Sequence, residues 1–193
     1  MKTLLIPAIL AASIVAPAAA QAQALPAAVI AVVDLDKVTT DCTACKTAAA
    51  SLKSQATALE TRGTSLEAPL KTEAQSIQAA IDALGGKQPD AALQARVKAF
   101  QAKQQAGAQE LNRKQQELQR NQQYIQQQIA AKLGPIYTQV MQRRGANLLV
   151  EVGATLATSA AIDVTADVTT ALNASLPSLA TTAPAQPQQP QGR

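Results

Sequence analysis

A long helical hairpin is the feature that most constrains how this chain can fold. From about residue 44 to residue 133, apolar residues recur at alternating steps of three and four, which keeps one stripe of a helix facing a partner helix. The pattern is interrupted only at residues 85–90, where Gly85, Gly86 and Pro89 predict the turn at the arm tip. Such an antiparallel coiled-coil hairpin would project roughly 60 Å, at about 1.5 Å per residue. We therefore expect this arm to grip a bound molecule, to act as a spacer or to serve as a scaffold.

One antiparallel register places the apolar residues of the two helices opposite each other. The predicted pairs are Leu84 with Leu93, Ile77 with Phe100, Leu66 with Leu111 and Leu59 with Leu118. Ala, Gly, Glu and Gln occupy other positions of the stripe, so the predicted seam is imperfect.

Glycine and proline predict flexing points along the arm. Gly63 and Pro69 weaken the first helix, and Gly134 and Pro135 lie where the second helix leaves its partner. We expect a kink between residues 63 and 69 and a second hinge at the arm root. A loose seam with such hinges would let the arm fit occupants of different size.

The first 24 residues are typical of a signal peptide. Lys2 precedes an apolar segment at residues 4–15, and several small-residue cleavage sites follow, of which the last predicts cleavage near Ala24. The alternative is an uncleaved anchor, but the apolar segment is shorter than the about 20 residues that span a bilayer. The mature chain is therefore expected outside the cytoplasm, in a periplasm.

The two ends of the mature chain predict a small body at the base of the arm. Residues 25–43 contain a β-branched strand and its connection, and residues 134–180 contain the helix root, strands near residues 147–152 and 155–159, and a short C-terminal helix. Pro177 ends that helix, and the Pro/Gln-rich tail at residues 181–193 is expected to be disordered. The predicted fold class is α+β, mostly α, with the three strands in one sheet. So small a body favours a homo-oligomer.

Basic residues are concentrated on the returning helix. Residues 96–144 hold nine basic and two acidic side chains, whereas the body is acidic. The candidate electrostatic surface consists of Arg96, Lys98, Lys103, Arg113, Lys114 and Arg120. A solvated helix face is the ordinary explanation, but such a field also attracts acidic unfolded chains or an anionic membrane surface. Nucleic acid is not an expected partner, because the chain is expected to be exported and no set of aromatic stacking residues interleaves with the charges.

Cys42-Thr43-Ala44-Cys45 is the one motif with reactive potential. Its position at a helix start would suit a thiol oxidoreductase, but the alternating strand and helix pattern of that fold is absent, so a structural disulfide is favoured. The chain has no His and no further Cys, which argues against a metal site and imidazole-dependent catalysis. We expect neither an enzyme nor a cofactor.

The order of these segments resembles the Skp/OmpH family of periplasmic chaperones. The resemblance covers residues 28–176 and rests on three stretches, at residues 29–34, 145–151 and 162–168, the last beginning Ile-Asp-Val-Thr. It implies a trimer whose three arms enclose unfolded outer-membrane proteins without ATP. The family has basic arm tips that imply lipopolysaccharide as a possible partner; here Lys87, Asp90 and Arg96 leave the tip only mildly positive.

The expected function is therefore that of a holdase that prevents aggregation of unfolded envelope proteins. A passive structural coiled coil of the envelope is the alternative, followed by the thiol oxidoreductase. In the holdase, long-range attraction would capture a client before weak apolar contacts retain it. Packing between the two helices would bury the apolar stripe itself. Clients would therefore contact the flanking alanines, glutamines and basic side chains.

Overall fold

The computed structural model describes residues 25–185, which form a mostly helical α+β fold. The helices are α1 (Leu35–Asp41), α2 (Thr43–Asp82), α3 (Ala91–Arg144) and α4 (Thr165–Ser175). The strands are β1 (Ile30–Val33) and β2 (Leu148–Glu151), and short 3-10 turns cover Val152–Ala154 and Ala160–Ile162. The predicted signal peptide at residues 1–24 and the tail at residues 186–193 lie outside the described residues.

Helices α2 and α3 form the arm that the apolar stripe predicts. The chain reverses at Gly85 and Gly86, whose φ angles of 57° and 89° favour glycine. Asp90 then caps α3 by accepting a hydrogen bond from the Leu93 amide at 2.8 Å. Across the arm, Asn121 hydrogen-bonds Gln55 and Lys103 hydrogen-bonds Glu73, and each of these pairs lies one residue from the predicted register. Longer side chains reach further along the arm: the pairs Arg62–Glu110 and Ser76–Arg96 lie five residues from that register.

The sheet has two strands, because the segment expected to form a third strand does not do so. β1 and β2 pair in parallel, with Ile30 opposite Leu148 and Val33 opposite Glu151. The expected strand at residues 155–159 is wrong: a 3-10 turn follows β2, and Leu156 is fully exposed. The Glu151 carboxylate accepts a hydrogen bond from the Gly153 amide, which favours this turn over continued extension. Only an isolated bridge between Val32 and Asp163 adds to the far side of β1.

The expected connection at residues 34–41 is also largely helical. Asp34 caps α1 by accepting a hydrogen bond from the Lys37 amide at 2.7 Å, and Val38 is completely buried. The carboxylate cap and the single buried apolar residue together explain why this short polar segment forms a helix.

The hydrophobic core lies in the body and at the root of the arm. α4 supplies Val168 and Leu172, which pack with Val38 of α1 and Val140 of α3; all four are completely buried. This confirms the expected short C-terminal helix with one apolar face. The core thus joins the two ends of the chain to the root of α3, which anchors the arm.

Candidate functional site

The arm buries few of its side chains along most of its length. Between residues 49 and 132, the buried residues are Ile77, Gly107, Asn121 and Ile125. Leu66, Leu70 and Phe100 of the predicted stripe are only half-buried. The helices therefore touch along the seam without closing it.

Open clefts follow both sides of this incomplete seam. One cleft of about 500 Å³ is lined by Leu70, Phe100, Gly107 and Leu111. Another of about 510 Å³ lies beside Leu66, Pro69 and Leu70, between charged residues of both helices. An apolar surface with a charged rim can make many small contacts with differing partners.

The six predicted basic residues lie along α3 but divide into two groups. Three already have partners: Arg96 donates to the Ser76 hydroxyl, Lys103 pairs with Glu73, and Arg120 donates to the Pro184 carbonyl. Lys98, Arg113 and Lys114 are exposed and form no salt bridge within residues 25–185. These three form the free basic surface of the arm.

Ion pairs join the two helices beside the clefts. The Arg62 guanidinium donates two hydrogen bonds to Glu110, at 2.7 and 2.9 Å, and this lowers the pKa of the Glu110 carboxyl. Lys103 meets Glu73 at 2.7 Å. Solvent and salt screen exposed pairs of this kind, so they align the helices without holding them rigidly together.

The predicted hinge residues lie inside continuous helices. α2 runs unbroken through Gly63 and Pro69, and α3 runs unbroken through Gly134 and Pro135. Open space surrounds the Cβ positions of both glycines, so close packing does not require glycine there. Flexing at these four positions stays a prediction.

Cys42 and Cys45 lie at the start of α2 and are joined by a disulfide. Cys42 is completely buried and Cys45 is 7% exposed. The Cys42 sulfur also accepts a hydrogen bond from the Cys45 amide, which places the pair at the N-cap of the helix. The disulfide therefore lies within the body core, at the root of the arm.

The segment after α4 returns along the arm, a contact that the sequence pattern does not predict. Residues 177–185, named here the C-terminal strap, lie against α2 and α3 near the arm base. Hydrogen bonds join the main chain of the strap to the side chains of Gln55, Arg120, Asn121 and Gln128. The disorder expected for residues 181–193 stays a prediction, although residues 181, 183 and 184 make main-chain hydrogen bonds to the arm. A polar Asn121 between the stripe positions Leu118 and Ile125 was the signal that could have located this groove.

Neither a membrane-spanning helix nor a metal-binding cluster is found within residues 25–185. No helix there is both long and apolar enough to cross a bilayer. The same residues contain no group of three or more His, Cys, Asp or Glu side chains placed to hold a metal ion.

The arm, its open seam and the small anchoring body define a class of protein with a helical hairpin on an α+β base. The family model described as Outer membrane protein (OmpH-like) matches residues 29–172. The chain belongs to this OmpH-like family, as its resemblance to the Skp/OmpH pattern predicted.

A solved structure has the same fold. It is a candidate outer membrane chaperone (OmpH-like) from Caulobacter crescentus, with a TM-score of 0.69 and 21% sequence identity. The match covers 86% of this chain and 96% of the other. No curated protein matches the chain.

Proposed function

We propose that this protein is an ATP-independent holdase that captures unfolded outer-membrane proteins in the periplasm and prevents their aggregation. The observation that carries the proposal is the open seam of the arm, which leaves apolar clefts beside residues such as Leu70 and Phe100. A holdase must bind many sequences weakly and release them without fuel, which suits a long surface of small contacts. Membership of the OmpH-like family supports the same function.

The free basic surface of the arm supports electrostatic capture of clients. Lys98, Arg113 and Lys114 lie on α3, and none of them has a salt-bridge partner in the described part of the chain. Such charges raise the rate of encounter with acidic unfolded chains. The same surface would attract an anionic membrane or lipopolysaccharide, which we propose as a secondary partner.

We further propose that the functional unit is a homotrimer assembled through the body. The sheet has two strands, and its outer strand β2 has no further strand beside it within residues 25–185. Ile30 and Leu148, which are aligned in the sheet, are 43% and 45% exposed. An open sheet edge beside exposed apolar residues is a surface that proteins usually cover.

Aggregation of a diluted client tests the holdase function. An outer-membrane β-barrel protein unfolded in urea is diluted into buffer with the mature chain and no nucleotide, and light scattering is recorded. We expect scattering to be suppressed near one trimer per client, and the same barrel after folding should not bind. Undiminished scattering at several-fold excess of the chain would contradict the proposal.

A passive structural coiled coil predicts a different result in the same assay, namely no preference for the unfolded client. The buried disulfide gives no support to the thiol oxidoreductase, since an attacking thiol must be accessible. We therefore propose no enzymatic activity and no cofactor.

A further inference from the structure

We propose that the groove between α2 and α3 at the arm base is a binding site for extended polypeptide backbone, which the protein's own C-terminal strap occupies as an internal competitor. The inference deepens the proposed holdase function and rests on it. The ligand class is a segment of unfolded chain, recognised through its amide and carbonyl groups.

Side-chain amides of the groove form hydrogen bonds to the main chain of the strap at three of the four residues 180–183. Gln128 makes two bonds to one residue: it accepts from the Ala180 amide at 3.1 Å and donates to the Ala180 carbonyl at 2.9 Å. Gln55 donates to the Thr181 carbonyl at 3.2 Å. Asn121 accepts from the Ala183 amide at 2.8 Å. Side-chain amides of both helices thus take the place that a neighbouring backbone has in other peptide-binding grooves.

The groove residues are hydrogen-bonded to one another and to the arm backbone as well as to the strap. Asn121 is only 3% exposed, and its amide donates to the Gln55 carbonyl oxygen at 2.8 Å. Gln128 also donates to the Tyr124 carbonyl of its own helix at 3.2 Å. A preorganised set of amides loses less conformational entropy when a segment binds.

The arm recognises main-chain atoms of the strap rather than its side chains. All the hydrogen bonds from the arm to residues 180–184 end on main-chain atoms of the strap. The strap side chains in this stretch are small, and Ala180 and Thr182 are exposed. Because every residue of an unfolded chain except proline offers the same donor and acceptor, segments of many sequences can replace the strap.

The groove extends beyond the part that the strap fills. A cleft of about 300 Å³ lies beside Thr182 and is lined by Gln55, Leu59, Leu118 and Asn121. It combines two of the three amides that hydrogen-bond the strap with leucines from both helices. A longer client segment can therefore keep the backbone contacts of the strap and add apolar contacts toward the arm tip.

Competition from the strap should weaken the apparent affinity for clients. A tethered segment has a high effective concentration, so it occupies the groove whenever no client is present. If the strap were bound for about nine-tenths of the time, it would raise the apparent dissociation constant about tenfold.

Proline substitutions in the full-length mature chain test this competition. The double variant Ala180→Pro/Ala183→Pro removes the two strap amides that donate to Gln128 and Asn121, and leaves the groove unchanged. The matched control is Ala185→Pro, whose amide makes no hydrogen bond among the described residues. The probe is a dye-labelled outer-membrane β-barrel protein, unfolded in urea and diluted, whose binding is followed by fluorescence anisotropy.

We expect the double variant to bind the unfolded barrel about tenfold more tightly than the parent, and the control to bind like the parent. In the double-variant background, Gln128→Met should weaken binding several-fold, whereas the exposed neighbour Gln126→Met should not. Together these results would place the client on the amides that the strap vacates.

The outcomes distinguish this inference from the holdase function. If the parent captures the barrel but the double variant binds it equally or less tightly, the strap only braces the arm and the inference is wrong. A lower melting temperature of the double variant would accompany that outcome. If neither chain captures the barrel, the proposed function fails, and the inference fails with it.

Discussion

Asp163 connects the sheet to α4 through a small hydrogen-bond network. Its carboxylate accepts the Thr165 amide at 2.8 Å, and the Thr165 hydroxyl in turn accepts the Asp34 amide at 2.9 Å. The hydrogen bonds from Thr165 lower the pKa of the Asp163 carboxyl below its usual 3.8. A carboxyl whose pKa is lowered by folding stabilises the fold above its unfolded pKa, and that contribution is lost as the pH falls through the folded pKa.

The variant Asp163→Asn should therefore lower stability in a pH-dependent way. At neutral pH we expect a loss of up to about 1 kcal/mol, or roughly 2–4 °C in melting temperature, because the site is exposed and screened by solvent. The difference from the parent should shrink below about pH 4. Thermal unfolding by circular dichroism at several pH values measures it, with Glu60→Gln on the arm as a control of equal charge change. A difference that stayed constant to pH 2 would show that the charge of Asp163 is not involved.

The Cys42–Cys45 disulfide should stabilise the arm root without taking part in client capture. A loop this short contributes no more than roughly 2 kcal/mol through the unfolded chain. Reduction with dithiothreitol should therefore lower the melting temperature by roughly 4–8 °C and leave suppression of client aggregation near that of the oxidised chain. The reduced chain without client is the control for folding. Loss of client capture at a temperature where the reduced chain remains folded would contradict a purely structural role.

At the residue scale, local sequence patterns predict the features that depend on residue type. They do not predict the features that depend on contacts between distant parts of the chain. The Cys42 and Cys45 spacing and the Gly85-Gly86 turn are local patterns, and they could be located directly. Asn121 and Gln128 are two among many polar residues of a glutamine-rich helix. Asn121 stands out only by its polar side chain in the apolar stripe, and Gln128 only by its contact with the strap, 52 positions away.

At the scale of the element, α3 combines an open apolar seam with the free basic surface. Exposed charges act over a Debye length of about 8 Å at physiological salt, so their effect on capture should depend on ionic strength. Arg113 and Lys114 lie beside Glu110, whose charge is already engaged by Arg62, so the net field on this stretch is positive.

The triple variant Lys98→Gln/Arg113→Gln/Lys114→Gln should weaken capture mainly at low salt. We expect the apparent affinity of the variant for the unfolded barrel to be about tenfold lower than that of the parent at low ionic strength. Near 0.5 M salt it should be less than about twofold lower, because screening removes the electrostatic difference between the two chains. Fluorescence anisotropy over a salt series measures it. The control Lys46→Gln/Lys53→Gln/Arg143→Gln removes the same charge from other parts of the chain. If the control weakens capture equally, net charge rather than the free basic surface is responsible.

At the same scale, periodic segments were more predictable than short ones. The arm helices follow from a stripe repeated over many turns, so their existence and register are constrained many times over. Residues 155–159 include two β-branched threonines, but a strand also needs a partner strand. The turn after Glu151 carries Leu156 away from the sheet. α1 has a single buried apolar residue, Val38, too few to reveal a helical period.

At the scale of the whole molecule, the two faces of the sheet differ in how they are covered. Ala31 and Val33 of β1 belong to the body core, whereas on the other face Val32 is buried but Ile30 and Leu148, which lie side by side, are 43% and 45% exposed. Since side chains alternate between faces along a strand, Ile30 and Leu148 face away from the core. This pair and the open edge of β2 are the surface on which the proposed trimer depends.

Replacing Leu148 by Asn should therefore dissociate the trimer while leaving the fold of each chain intact. The exposed side chain contributes little to a single chain, but in a trimer its burial at each contact would add to the association free energy. Sedimentation equilibrium over a range of concentrations should give three times the mature chain mass for the parent, and a lower mass for the variant at low concentration. Ile81→Asn, at a site of similar exposure near the arm tip, is the control and should remain trimeric. A parent that sediments as one chain at all concentrations would contradict the trimer. A variant that stays as tightly associated as the parent would instead place the contact away from this sheet face.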